Sequence, residues 1–302
     1  MNARPLRRAA RRAALVLTIL ALLAGSAAAD FRSTRTGARP RAMGSAFVSI
    51  SDDANAVHWN PAGLTAVDDL QAMVTHNRLY GVADELRDDA LTLSGPRFRL
   101  LGLDVRAAGA FVRRAIPDVY YEDTYELSLA AEAPGLRGLS CGVTGKVFRL
   151  SAPGYEQYND PAYLGADTGL AADVGLIYRA EDPWSLGAVL YNLNEPHLQL
   201  LGTTTNPDPV HRAFAVGGSY LFRDTLVLTG DVRSARFHFD ELRINAGAEI
   251  WFFDTLALRS GLYEGNVTMG LGLQDRSWRA DFALETHEEV GDAYILSFTL
   301  RK

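Results

Sequence analysis

A single cysteine, Cys141, is all the chain contains, so no disulfide within the chain can staple its fold, even in an oxidising compartment. Beyond residue 29 no stretch approaches the roughly 18 uninterrupted apolar residues of a membrane-spanning helix, which excludes helical spans. A membrane is not excluded, because a β-barrel hides its lipid-facing residues in alternation. Phosphate loops, His-Glu-x-x-His pairs and Cys-x-x-Cys pairs are all missing, and with them the usual anchors of nucleotide, zinc and redox chemistry. The six histidines, His58, His76, His197, His211, His238 and His287, are scattered without ligand spacing. The expectation is a non-enzymatic protein with no cofactor and no bound metal.

Residues 1–29 are expected to form an export signal. Arg4, Arg7, Arg8, Arg11 and Arg12 supply the charged start, Ala13 to Leu23 the apolar core and Ala27-Ala28-Ala29 a small-residue cleavage site, placing the mature start at Asp30. That core is too short for a helical anchor, which needs about 20 residues. Cleavage would remove five of the 30 basic residues and none of the 36 acidic ones, leaving a net charge of −11. A chain this acidic is a poor candidate for nucleic acid.

From Leu70 onward the dominant hydrophobic period is two. Leu242, Ile244, Ala246, Ala248, Ile250 and Phe252 alternate with Arg243, Asn245, Gly247 and Glu249. Trp278, Ala280, Phe282 and Leu284 alternate likewise with Arg279, Asp281, Ala283 and Glu285. The pattern predicts strands at 71–80, 89–96, 100–112, 121–132, 139–150, 166–179, 184–193, 210–222, 225–234, 240–252, 255–262, 266–274, 277–286 and 292–301. That makes fourteen, an even number, as a bacterial single-chain membrane barrel requires. Turn clusters such as Ala180-Glu181-Asp182-Pro183 and Asn206-Pro207-Asp208-Pro209 separate them.

The polar faces carry charges of both signs, among them Glu126, Lys146, Asp173, Arg243, Glu249, Arg279, Asp281 and Glu285. Mixed charge suits a wet or plugged lumen with paired side chains rather than the dry interior of a sandwich. Aromatics near strand ends, including Tyr80, Phe111, Tyr178, Tyr191, Tyr220, Phe222, Trp251, Phe252 and Trp278, are expected to form interfacial girdles. Leu139 and Val143 share the face of Cys141, which gives it a buried or lipid-facing apolar role.

Ahead of the strands lies Gly37 to Leu64, G-A-R-P-R-A-M-G-S-A-F-V-S-I-S-D-D-A-N-A-V-H-W-N-P-A-G-L. Gly37 and Gly44 permit close backbone approach, and Asp52 or Asp53 is expected to cap a helical turn over Ala54 to His58. Pro61 disfavours helix at Asn60, so Asn60-Pro61-Ala62-Gly63 reads as a tight reversal. Arg39 and Arg41 are placed to pair with lumenal acids such as Glu249 or Asp281. The segment is too broken to cross a membrane as a strand.

This stretch, with its glycine- and alanine-rich run, its Asp-Asp-Ala turn and its Asn-Pro-Ala-Gly-Leu, resembles the N-terminal signature of outer-membrane barrels of the FadL and PorV/PorQ type. The resemblance implies an all-β, 14-stranded antiparallel transmembrane β-barrel over residues 70–302. Residues 30–69 would form a lumenal hatch whose structural and gating positions are Gly37, Arg39, Gly44, Asp52, Asp53, Asn60, Pro61, Ala62, Gly63 and Leu64. The implied location is the outer membrane, in contact with its lipid. About nineteen residues per strand and connection leave little for large external loops, which favours a PorV/PorQ-like component or docking partner in type IX-like secretion or surface attachment, with secretion-system or surface proteins as partners. The alternative is FadL-like passive transport of hydrophobic small molecules, for which the longer loops Tyr155 to Leu164 and His197 to Leu201 offer candidate apolar positions.

Overall fold

The structure is a computed structural model that describes residues 35–78, 86–181, 183–203, 208–234, 236, 241–287 and 291–302. The expected export signal, Tyr80, Asn206-Pro207, His238 and Glu288-Glu289 lie outside these residues.

Fourteen strands make one closed antiparallel meander: β1 Gln71–Arg78, β2 Arg87–Ser94, β3 Leu103–Ile116, β4 Tyr120–Glu132, β5 Leu139–Ser151, β6 Asp167–Arg179, β7 Trp184–Tyr191, β8 Ala213–Phe222, β9 Leu226–Ser234, β10 Arg243–Phe252, β11 Leu256–Tyr263, β12 Asn266–Gln274, β13 Trp278–Glu285 and β14 Ala293–Arg301. β14 returns to β1, with Gln71 opposite Arg301 and Arg78 opposite Tyr294, so the sheet has no open edge there. β2 pairs directly with β3, and the short strand Phe98–Leu100 folds back on the start of β3. Each of the fourteen segments expected from alternation corresponds to one of these strands. Their bounds shift by a few residues, most at β3, which continues to Ile116.

The side-chain alternation is inverted relative to a soluble protein. Along β5, Cys141, Val143 and Val147 are exposed while Ser140, Thr144 and Lys146 are buried. Leu127, Leu170, Leu271 and Leu296 are exposed on the same outer surface. An apolar exterior over a polar interior is the requirement of a wall that faces hydrocarbon. Leu70 and Lys302 exchange backbone hydrogen bonds of 3.1 and 3.0 Å, which puts both ends of the barrel at one rim. The two longest connections, 152–166 and 192–212, lie at the opposite rim, the placement expected of external loops.

The lumen is filled by residues 36–67. They form helix α1 Ala38–Ala42, helix α2 Ala56–Trp59 and a 3₁₀ helix Pro61–Ala66, joined by turns, and nearly all are buried. The barrel wall is cut to fit them. A Cβ added at Gly142 would lie 2.4 Å from the Ala62 nitrogen, at Gly187 2.4 Å from the Val48 carbonyl oxygen, at Gly247 2.3 Å from the Met43 carbonyl oxygen and at Gly261 2.2 Å from the Gly44 nitrogen. Gly44 reciprocates: its φ is +63°, and a Cβ there would sit 2.4 Å from the Ala246 carbonyl oxygen. The small residues of the polar strand faces are thus the seats of the N-terminal segment. The test is a pair of substitutions: Gly187→Val should displace the segment and raise single-channel conductance in planar bilayers, whereas Gly145→Val, which opens onto free space on the outer face, should leave conductance unchanged.

Candidate functional site

Irregular backbone buried inside a membrane barrel has no strand partner, so its polar groups turn to the wall. The wall meets them with side chains. The Asp231 carboxylate accepts from the Phe47 and Val48 amides at 2.8 and 3.0 Å. The Thr268 hydroxyl accepts from the Gly44 amide at 2.9 Å and donates to the Ala42 carbonyl at 3.0 Å. Ser297 accepts from the Ala38 amide, and Ser185 donates to the Ser49 carbonyl.

The strongest tie is a closed ring of alternating charge. Arg39 donates to Glu249 through two parallel hydrogen bonds of 2.8 and 2.7 Å. Glu249 also accepts from Arg259 at 2.6 Å, and Arg259 donates to Asp281 at 2.9 Å. Arg279 pairs with Asp281 at 2.8 Å and reaches Asp53 at 3.5 Å, and Asp53 returns to Arg39 at 2.9 Å. Asp52 joins from outside the ring through Arg39. Gly272 leaves room for it, since a Cβ there would lie 2.7 Å from the Arg259 guanidinium. Arg259 and Arg279 both lie over the Trp251 ring at 5.6 Å.

Arg39 and Asp53 come from the N-terminal segment and the other four members from the wall; each part is neutral in sum, and the Arg39–Glu249 and Asp53–Arg279 contacts join them into one ring. Burial alone would lower the pKa of Arg39, but Asp52, Glu249 and Asp53 outweigh it and raise that pKa well above its ordinary value. Burial likewise opposes ionisation of Asp53, yet Arg39 and then Arg279 hold its carboxyl below the usual carboxylate range. Both groups stay charged at neutral pH.

Two further clusters extend the seam. Arg41 pairs with Glu285 at 2.6 Å, joined by Arg35 at 3.5 Å. His58 meets Glu126, which is 3.6 Å from Lys146, and Lys146 pairs with Asp173 at 2.6 Å. The His58 Nε2 lies 3.1 Å from the Thr92 hydroxyl.

The sequence motif maps onto these contacts residue by residue. Gly37 precedes α1 at a φ of +97°, where a Cβ would strike the Asn55 side chain. The Asp53 carboxylate accepts from the Asn55 amide at 2.9 Å, so it closes a turn one residue ahead of α2 instead of capping a helix over Ala54 to His58. Asn60 to Gly63 is not a tight reversal: Asn60 is the cap of the 3₁₀ helix, and its side-chain oxygen accepts from the Ala62 amide at 3.2 Å. The Asn60 side-chain Nδ2 donates to the Val48 carbonyl at 2.9 Å and to the Leu176 carbonyl of β6 at 3.1 Å. Pro61 opens that helix where no amide donor is needed. Gly63 lies against the Ser51 backbone, and Leu64 packs with Ala56, Val57, Val67, Ala108 and Ala130.

Arg259, Asp231 and Thr268 did not stand out in the sequence, although alternation along their strands marks each as inward-facing. Two expected girdle aromatics also face the lumen. Tyr191 is buried and donates to the Trp59 carbonyl at 2.5 Å, and Trp251 lies beneath the arginines. Each follows a residue of the outer face by one position, and period two turns it inward.

At the rim bearing the long loops the lumen lining becomes apolar. Phe148 and Leu150 of β5 and Ala171 of β6 pack with Leu198 and Val210 of the 192–212 connection, flanked by Tyr120 and Leu200. The two loops singled out in the sequence meet here: Leu164 donates its amide to the Leu200 carbonyl at 2.8 Å, and Gly202 to the Ala162 carbonyl at 2.7 Å. Tyr155 packs with its ring tilted against Tyr158 and Tyr163 at 5.6 and 5.4 Å, while Tyr158 and Leu164 remain exposed. The arrangement is an apolar mouth above a charge-locked plug.

No family model and no curated protein matches the sequence. Solved structures do match the fold. The toluene transporter TodX of Pseudomonas putida aligns with a TM-score of 0.60 at 14% identity, over 88% of this chain and 98% of its own. A monoaromatic hydrocarbon channel, CymD, aligns at 0.57 and 13% over 88% and 97%. A FadL homologue of Pseudomonas aeruginosa aligns at 0.57 and 12% over 88% and 98%. The chain shares the 14-stranded barrel fold of these proteins.

Removing one partner from a buried charge ring leaves the others uncompensated, at a cost of about 3–5 kcal/mol. Arg39→Gln should therefore lower barrel stability by about that amount in urea titrations in detergent micelles, and Arg39→Lys, which keeps the charge but loses the paired hydrogen bonds, should fall between. Because the folded pKa of Asp53 is depressed, its contribution is present above the unfolded value of about 4 and is lost as pH falls through the folded one. Wild-type stability from this group should be flat between pH 7 and pH 5 and decline only below about pH 4.

Proposed function

We propose that the protein is an outer-membrane channel for uncharged hydrophobic small molecules, of the FadL-like kind, with no catalytic step. The observation that carries this reading is the apolar mouth. Phe148, Leu150, Ala171, Leu198 and Val210 form a greasy patch at the external end of the lumen, above the charge ring and beneath loops that present Tyr158 and Leu164 to the outside. A path for ions would have no use for such a patch, whereas an apolar molecule arriving from water would lose its hydration shell there. The fold is that of proteins described as a toluene transporter and a monoaromatic hydrocarbon channel, which supports an apolar cargo.

In this reading Gly37, Arg39, Gly44, Asp52, Asp53 and Asn60 to Leu64 are the positions that seat and gate the plug. The gate works by local shifts of the segment, because its full withdrawal would open the charge ring. The burial of residues 36–67 in the lumen also favours a second role, a PorV/PorQ-like docking platform for secreted or surface proteins, in which the barrel conducts nothing.

Proteoliposome uptake separates the two. A radiolabelled aromatic hydrocarbon should enter at a protein-dependent rate, and Leu164→Asp together with Leu200→Asp should cut that rate at least tenfold without altering heat-modifiable gel mobility. Uptake equal to that of protein-free liposomes, together with co-purification of a protein partner from native membranes, would replace the transport reading with the docking one.

A further inference from the structure

The outer face of β1 to β5 departs from the apolar exterior of the wall. His76 lies directly opposite Asp89, Asp89 opposite Arg113, Arg113 opposite Asp123, and Asp123 opposite Arg149, a row that crosses five strands. Arg78 and Arg87 face one another two residues closer to the rim of the long loops. His76, Arg78, Arg87 and Arg149 sit at exposed positions. Arg113 clamps the buried Asp123 with bonds of 2.7 and 2.8 Å, and His76 Nδ1 lies 2.7 Å from Asp89. Among the described residues the patch carries four arginines against two aspartates, and Arg87 lies 3.4 Å from Asp89. Such side chains are costly at the bilayer midplane and tolerated in the headgroup layer, so the row marks the external headgroup zone on this side of the barrel.

Immediately below the row, on the membrane side, lies a groove of about 720 Å³ on the outer surface. His76 and Asp89 form its upper edge, and Val74, Leu91, Phe111, Phe282, Leu296 and Phe298 are among its walls. It spans the seam where β14 closes on β1. The volume falls within the range of about 300–1,000 Å³ typical of small-molecule sites.

We propose that this face is a binding site for one phosphorylated, acylated lipid of the external leaflet, with phosphates held by Arg78, Arg87 and Arg149 and an acyl chain lying in the groove. Guanidinium forks match phosphate geometry and keep their charge at any physiological pH. Arg87 on β2 and Arg149 on β5 are three strand spacings apart and two residues out of register, about 16 Å in all, a span that long arginine side chains close to suit a headgroup carrying two phosphates. An apolar slot ending at a cationic row reproduces the order of parts in such a lipid. The site rests on the outer-membrane reading and is independent of what the channel carries.

Native mass spectrometry of the purified barrel in non-ionic detergent tests it, with diphosphorylated lipid A, its dephosphorylated form and inorganic pyrophosphate as probes. The diphosphorylated lipid should be retained as a single adduct, and neither other probe should be. Arg78→Gln, Arg87→Gln and Arg149→Gln combined should weaken retention at least tenfold. Arg113 is left in place because it also holds Asp123. Ala280→Trp, which fills the groove from the lipid side, should weaken retention as well, and Asp89→Asn, which removes a competing carboxylate, should strengthen it about threefold, a gain that a damaged fold cannot produce. Equal binding of the dephosphorylated lipid, capture of pyrophosphate alone, a co-purified protein on this face, or an unchanged affinity in the triple variant would each overturn the proposal. Wild-type hydrocarbon uptake by the triple variant would show that the lipid site and the transport reading stand or fall separately.

Discussion

The structure depends on one electrostatic constraint: the buried charges that β10, β11 and β13 turn into the lumen find their full set of partners only when Arg39 and Asp53 arrive from the N-terminal segment. Glu249, Arg259, Arg279 and Asp281 are all buried. In a dry interior an unpaired charge among them costs several kcal/mol. The Arg39–Glu249 fork and the Asp53–Arg279 contact complete the ring. The segment is therefore part of the barrel's interior rather than an appendage to it.

The same logic organises the rest of the lumen. An irregular chain inside a membrane must find partners for each amide and carbonyl, and strands cannot supply them because their own backbone groups are engaged in the ladder. Asp231, Thr268, Ser185 and Ser297 serve as substitutes. Glycines at Gly142, Gly187, Gly247 and Gly261 remove side chains where the segment touches the wall. The apolar patch at the external mouth begins where these polar contacts stop, and so the lumen divides into a locked lower part and a greasy upper one.

Much of the barrel was legible in the sequence because side-chain direction on a strand has a period of two and nothing else in the chain competes with it. All fourteen strands and the inward direction of Glu126, Lys146, Asp173, Glu249, Arg279, Asp281 and Glu285 follow from that alternation. Pairing across the lumen does not. Arg39 could be aimed at acids such as Glu249 or Asp281, but its fork on Glu249, and the choice of Glu285 by Arg41, depend on the register and tilt of strands more than 200 residues away. The girdle assignment failed at Tyr191 and Trp251 for a related reason: aromatic character near a strand end does not say which face it occupies, and only counting from a known outward neighbour does. The convergence of the loops at Leu164 and Leu200 joins residues from two connections, and no local pattern encodes it.

Hydrogen–deuterium exchange of the amides of residues 37–66, measured in native outer-membrane vesicles, tests the claim that the segment belongs to the barrel's core. The account predicts protection as slow as that of the β10 to β13 ladder, with Phe47, Val48 and Gly44 among the slowest because wall side chains hold their amides. Exchange of these amides within seconds, while the strands stay protected, would contradict it.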